Sequence, residues 1–165
     1  MQKAIDAIDF FLTRFLIFLM ALIVLAVTWQ VFTRFIIQDP SSFTEELARF
    51  LLIWIGVLGA SYALRTRSHL GIDLITERVG PRGKLILQIF VYAIIIVFAT
   101  AVMIVGGIRL VDLTFSLNQI SAALGIKMGY VYTVLPLSGT LMVLYSVFFM
   151  WEAITSPPSS TEGEG

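Results

Sequence analysis

The sequence predicts an all-α, multi-pass membrane protein with four transmembrane helices, and three observations carry that prediction. Of 165 residues, 58% are hydrophobic and only 13% charged, whereas a soluble domain is about half apolar and a quarter charged. Mean hydropathy is +0.93, more apolar surface than one small core can hide, so the bilayer must act as solvent. The apolar residues also gather into four runs, at 15–37, 43–64, 85–108 and 130–151. At a helical rise of about 1.5 Å per residue each run is roughly 33–36 Å long, enough to cross a hydrocarbon core of about 30 Å. Backbone groups in that core must be satisfied within the segment, which selects helices.

Composition also excludes several functions. Net charge is zero, which argues against a nucleic-acid partner. There is no cysteine and a single histidine, which removes disulfides, thiolate metal sites and cysteine nucleophiles. No set of residues supports an enzyme, a cofactor site or a metal site, and no polar set inside the spans suits a substrate. Lys3 is followed by Asp6 and Asp9, and the first apolar run is too long for a signal-peptide core. The first span is therefore expected to be retained.

Before that span, Ala4, Ile5, Ile8, Leu12 and Phe15 share a helical face, with Gln2, Lys3, Asp6, Asp9 and Thr13 elsewhere. This predicts an N-terminal amphipathic helix lying in the membrane interface; the alternative is a plain extension of the first span. Gln30 and Arg34 fall toward the far end of that span. Asp39-Pro40 reads as a turn, and Ser42 with Glu45 has the spacing of a capping box opening the second span. Glu45 and Glu46 suit the positive end of the helix dipole, and both lie within helical reach of Arg49. The cluster admits three readings: helix capping, contact with a partner protein, or proton movement.

In the second span Trp54 is placed for helix packing. Gly56 and Ala60, and Gly59 and Ala63, repeat small residues at a spacing of four, which lets another helix approach closely. In the following basic loop Ile72, Ile75 and Val79 share a face and Gly80-Pro81 stops the pattern, predicting a short surface helix over 70–79. His69 and Asp73 are within pairing distance if that stretch is helical. In the third and fourth spans, Gly106, Gly107, Pro136 and Gly139 mark packing or bending points. Arg109 and Asp112 have pairing distance on a third helix that runs past the membrane surface, and residues 118–121 read as its break. Asp39, Ser41 and Ser42 with Asn118 and Gln119 then form one face, a platform for a soluble partner. Residues 1–155 are expected to form one membrane domain, and the Ser-, Pro-, Gly- and Glu-rich stretch 156–165 to be disordered.

Lys and Arg placement sets the orientation. Lys3, Arg14, Arg65, Arg67, Arg78, Arg82 and Lys84 fall on one side, against Arg34, Arg49, Arg109 and Lys127 on the other. The positive-inside rule then puts both termini in the cytoplasm.

The run Ser42-Phe43-Thr44-Glu45-Glu46-Leu47-Ala48-Arg49-Phe50-Leu51-Leu52-Ile53-Trp54, followed by Gly59-Ala60 and by His69-Leu70-Gly71-Ile72-Asp73, resembles the signature of the small membrane subunit of tripartite ATP-independent periplasmic (TRAP) transporters. The resemblance covers nearly the whole chain. It implies a bacterial inner-membrane protein that accompanies a large membrane subunit and a periplasmic substrate-binding protein. In such a system an organic acid, such as sialic acid or a C4-dicarboxylate, is carried by an elevator movement coupled to sodium in the large subunit. Carried over, Glu45, Glu46 and Arg49 are candidates for holding the small subunit's shape or its join to the large one. Trp54, Gly56, Gly59, Ala60 and Ala63 become candidate packing surface, and His69 and Asp73 a cytoplasmic motif. The Ser-Pro-rich tail implies a separate subunit rather than a fusion. An independent four-helix structural or regulatory membrane protein is the alternative.

Overall fold

The first helix, α1, runs unbroken from Gln2 to Phe32 and continues as a wider π-helical turn, Thr33–Ile37. No Gly or Pro lies between residues 2 and 37, so nothing in the sequence breaks the rod. This corrects the expectation of a separate interfacial helix. The amphipathic face exists, but it is spent inside the protein: Leu12 is buried with Leu58 and Val134, and Ile5 and Ile8 pack on Leu64, Tyr145 and Phe149. Gln38, in the left-handed region at φ 59°, ends the segment and returns its N–H to the Thr33 carbonyl. The computed structural model describes residues 2–39, 41–66 and 81–155. The expected surface helix over 70–79, His69, Asp73 and the 156–165 tail lie outside the described residues.

Helix α2 spans Ser42–Arg65 and is capped by Ser41 rather than Ser42. Ser41 is extended, its hydroxyl accepts from the Thr44 N–H at 3.4 Å, and the Thr44 hydroxyl donates back to the Ser41 carbonyl at 3.1 Å. Ser42 is already helical, so the expected Ser42–Glu45 capping box does not form. The cap moves one residue upstream because its oxygen must sit outside the first turn.

The third span is one long rod: α3 (Pro81–Phe98), a π-helical stretch Ala99–Gly106, and α4 (Gly107–Ser116). It extends past the expected end at 108. Asn118, at φ 48°, ends it. A short helix α5, Met128–Tyr132, leads into α6, Val134–Thr155. Among the described residues four stretches are long and apolar enough to cross a membrane: Ile5–Ile37, Ser42–Arg65, Leu85–Ser116 and Met128–Thr155.

The spans are arranged as a row more than a closed ring. α1 packs on α2, α2 on α6, and α6 on α3 with its π-helical continuation; among the described residues α1 and α3 share no contact. Burial follows from this order. In their most apolar windows the inner members α6 and α2 have 33% and 28% of residues buried, against 17% for α1 and 6% for the third span. An apolar rod this exposed is stable only in lipid or against another membrane protein.

Glycines set the closest approach. A Cβ on Gly139 would lie 2.7 Å from the Met103 Cβ and 3.2 Å from the Ala99 carbonyl oxygen, and one on Gly107 would lie 2.9 Å from Pro136 Cδ. The π-helical stretch thus meets α6 where only hydrogen fits.

Candidate functional site

The Glu45–Glu46–Arg49 cluster divides into two unlike parts. Arg49 pairs with Glu45 across one turn at 3.2 Å, and both side chains are more than half exposed. Such a surface pair contributes about 0–1 kcal/mol. Glu46 points elsewhere. Its Oε2 accepts from the backbone N–H of Ala123 at 2.7 Å and of Leu124 at 2.9 Å. The expected Glu46–Arg49 pairing is therefore replaced by a clasp from the start of α2 to the loop between the third and fourth spans.

That loop is built to receive it. Ile120 and Lys127 form an antiparallel bridge, the Ser121 N–H reaches the Ile126 carbonyl at 2.9 Å, and the Ser121 hydroxyl accepts from the Leu124 N–H at 3.2 Å. The result is a turn that aims the Ala123 and Leu124 N–H groups at one carboxylate oxygen as an anion cradle, the Leu124 N–H being shared with the Ser121 hydroxyl. Gln119 and Met128 tie its base, through Met128 N–H to the Gln119 carbonyl at 2.9 Å. Asp39, Asn118 and Gln119 are exposed at this end of the molecule, while Ser41 is occupied as the cap. Among the described residues Arg109 and Asp112 make no ion pair.

Glu46→Ala is expected to free the Ala123 N–H and leave the Leu124 N–H with the Ser121 hydroxyl alone, seen as faster hydrogen exchange at Ala123 and, to a lesser degree, Leu124. Arg49→Ala should leave that exchange unchanged, since its own carboxylate partner is Glu45.

A second clasp sits at the opposite end. Asp9 on α1 accepts from Arg65 Nε at 2.5 Å through one oxygen and from the Tyr145 hydroxyl at 2.7 Å through the other. It joins α1, α2 and α6. Asp6 stands 3.7 Å from the same guanidinium, which also lies 5.7 Å from the Phe149 ring centre. Sequence reasoning missed this site: it puts Asp9 off the apolar face of the first helix and Arg65 just beyond the apolar run 43–64, with nothing to join them. The available signal was Tyr145, whose phenol sits within an apolar run and needs a partner when buried.

Between the clasps, α2 and α6 are joined by hydroxyls. Ser61 and Ser138 oxygens are 2.5 Å apart, and Ser138 donates to the Val57 carbonyl at 2.7 Å. Trp54 donates from Nε1 to the Val131 carbonyl at 3.1 Å and meets Phe15 edge-on at 6.2 Å. Such interhelical bonds contribute roughly 0.6–2 kcal/mol each in a membrane.

The small-residue face of α2 is used by none of these contacts. A Cβ on Gly56 or Gly59 would meet nothing within 4 Å. Gly56 and Ala60 are exposed, and Gly59 and Ala63 partly so. Next to them Leu52 is 63% exposed.

These features define a four-span helical membrane protein whose polar groups clasp its own helices and leave apolar faces uncovered. Residues 23–156 match the family model of the tripartite ATP-independent periplasmic transporters, DctQ component, and the chain belongs to that family. It is a small permease subunit of a TRAP transporter, not an enzyme. It is 27% identical to the sialic acid TRAP transporter small permease protein SiaQ of Vibrio cholerae, over 97% of this chain and 91% of that one. It is 31% identical to the isethionate TRAP transporter permease protein DctMQ of Oleidesulfovibrio alaskensis, over 79% of this chain but 21% of that protein. To the C4-dicarboxylate TRAP transporter small permease protein DctQ of Rhodobacter capsulatus it is 27% identical, over 59% of this chain and 43% of that one.

Proposed function

We propose that this chain is the fixed accessory half of a two-part permease, and that α2 presents Leu52, Gly56, Gly59, Ala60 and Ala63 to a large membrane subunit. One observation carries the reading: in the DctMQ relative, the stretch similar to this chain is a fifth of a much longer permease protein. A segment that some systems keep within the permease chain is one that works against the permease. The exposed apolar faces and the open space beside Gly56 and Gly59 support the same conclusion.

The large subunit supplies the pathway, by an elevator movement coupled to sodium, in the bacterial inner membrane. The cargo is an organic acid. The relatives' names specify sialic acid, isethionate and C4-dicarboxylate, so specificity rests with the other components. With both termini in the cytoplasm, as the Lys and Arg bias favours, the Glu46 clasp faces the periplasm. Asp39, Asn118 and Gln119 there form the face that receives a substrate-binding protein. Residues 1–155 act as one membrane unit, with the His69–Asp73 motif on its cytoplasmic side.

The test is uptake by cells expressing the large subunit and binding protein with and without this chain. Uptake is expected only with it. Uptake at the same rate in its absence would overturn the assignment.

A further inference from the structure

At the Asp9 end, α1 and α2 enclose an open cavity of about 440 Å³, lined by Asp6, Asp9, Phe10, Arg14, Tyr62 and Arg65 among others. The two-part permease does not explain it, and its charges are unusual. Two carboxylates and two guanidinium groups line it, so the wall is neutral overall but divided. Arg65 is already engaged by Asp9. Arg14 makes no ion pair among the described residues; its guanidinium rests 4.5 Å from the centre of the Phe10 ring, still open toward the cavity. Asp6 is 60% exposed and only 3.7 Å from Arg65 at its nearest.

Position along the helix gives this division a direction. Asp6 and Arg14 are eight residues apart, about 12 Å along the axis. Beyond Arg14, residues 15–33 carry no charge. Nineteen such residues nearly fill a hydrocarbon core of about 30 Å, so Arg14 stands at the boundary and Asp6 outside it. Phe10, Ile17 and Phe18 lie within a turn of Arg14 on either side and are each about 60% exposed. From the cavity outward along α1 the surface therefore runs from carboxylate, through guanidinium, to an apolar track that begins beyond the cavity at Ile17 and Phe18.

We propose that this cavity binds the headgroup of an aminophospholipid. Arg14 takes the phosphate, Asp6 takes the primary ammonium farther from the core, and an acyl chain follows Ile17 and Phe18. A guanidinium suits a phosphate through paired N–H donors, and basic sites at helix ends are known to hold lipid headgroups. The ammonium, able to donate three hydrogen bonds, fits a carboxylate as a quaternary choline group does not.

The test offers the intact, delipidated chain in detergent an equal mixture of phosphatidylethanolamine, phosphatidylcholine and phosphatidylglycerol with identical acyl chains. Bound lipid is read by native mass spectrometry. The wild type is expected to retain phosphatidylethanolamine severalfold over the other two. Arg14→Gln should lose it, Arg14→Lys should keep it, and Asp6→Asn should bind phosphatidylethanolamine and phosphatidylcholine equally. All three variants should unfold at the wild-type temperature, because neither side chain is buried. Equal retention of all three lipids by the wild type, or undiminished retention in Arg14→Gln, would overturn the site. Displacement of the lipid by water-soluble glycerophosphoethanolamine would overturn the lipid source in favour of a soluble phosphate ester.

Discussion

Gly139→Ala is expected to destabilise the protein, while Gly56→Ala stabilises it. The added methyl is the same, and the surroundings decide the sign. On α6 the new Cβ would fall 2.7 Å from Met103 Cβ and 3.2 Å from the Ala99 carbonyl. Both atoms belong to or adjoin the backbone, so relief requires moving one helix away from the other. Overpacking of this kind costs about 1–3 kcal/mol. At roughly 2–4 °C per kcal/mol for a chain of this size, the unfolding midpoint should fall by roughly 2–12 °C. Gly139→Leu should prevent accumulation of folded protein. On α2 the Gly56 methyl meets nothing, and Ala over Gly in a helix gains about 0.5–1 kcal/mol. Thermal unfolding in detergent of the two Ala variants checks the sign directly.

Asp9→Ala carries the second large effect. It removes the acceptor shared by Arg65 and Tyr145, leaving a guanidinium and a phenol without their partner between three helices. Breaking a fully buried ion pair costs about 3–5 kcal/mol. Here the Asp9 and Arg65 side chains remain 20% and 25% exposed, and Asp6 stands near enough to compensate in part. The expected loss is therefore about 2–3 kcal/mol, within the range for a hydrogen-bonded charge. Tyr145→Phe should cost about 1 kcal/mol, since it removes one bond and leaves the ion pair. In the double variant Asp9→Ala/Arg65→Ala the loss should be smaller than the sum of the two single losses, because removing both partners leaves no orphaned charge. Additive losses would mean that the pair contributes nothing as a pair.

These two cases show where the sequence was legible and where it was not. The four spans were legible because hydropathy over some twenty residues is a local property. The packing role of Gly107, Pro136 and Gly139 was legible as residue type, since small residues mark close approach in membranes. Their partner was not. It depends on a π-helical stretch over Ala99–Gly106 that no local pattern announces. The Glu46 clasp was misread for a related reason. Spacing on one helix shows which side chains are able to meet, and Arg49 was near. The competing partners, two N–H groups some 77 residues away, are backbone atoms and leave no trace in side-chain spacing. Asp9 shows the converse error. Helical periodicity shows that Asp9 lies off the apolar face, but not that Arg65 and Tyr145, from two other helices, meet it there.

The small-residue face of α2 is the opposite case. Gly56, Gly59, Ala60 and Ala63 were visible in the sequence as a surface for another helix, and among the described residues no helix occupies it. Intramolecular packing uses Gly107 and Gly139 instead. The chain thus separates its glycines by task, with those at the α6 contact closing its own fold and those on α2 left open.

Copurification tests this division most directly. A tagged chain coexpressed with the large permease subunit should recover that subunit in stable proportion. The Gly59→Leu variant, whose Cβ enters open space in the isolated fold, should unfold at or slightly above the wild-type temperature yet lose the large subunit. Undiminished recovery of the partner by Gly59→Leu, or recovery of the wild-type chain alone from membranes that transport normally, would contradict the account.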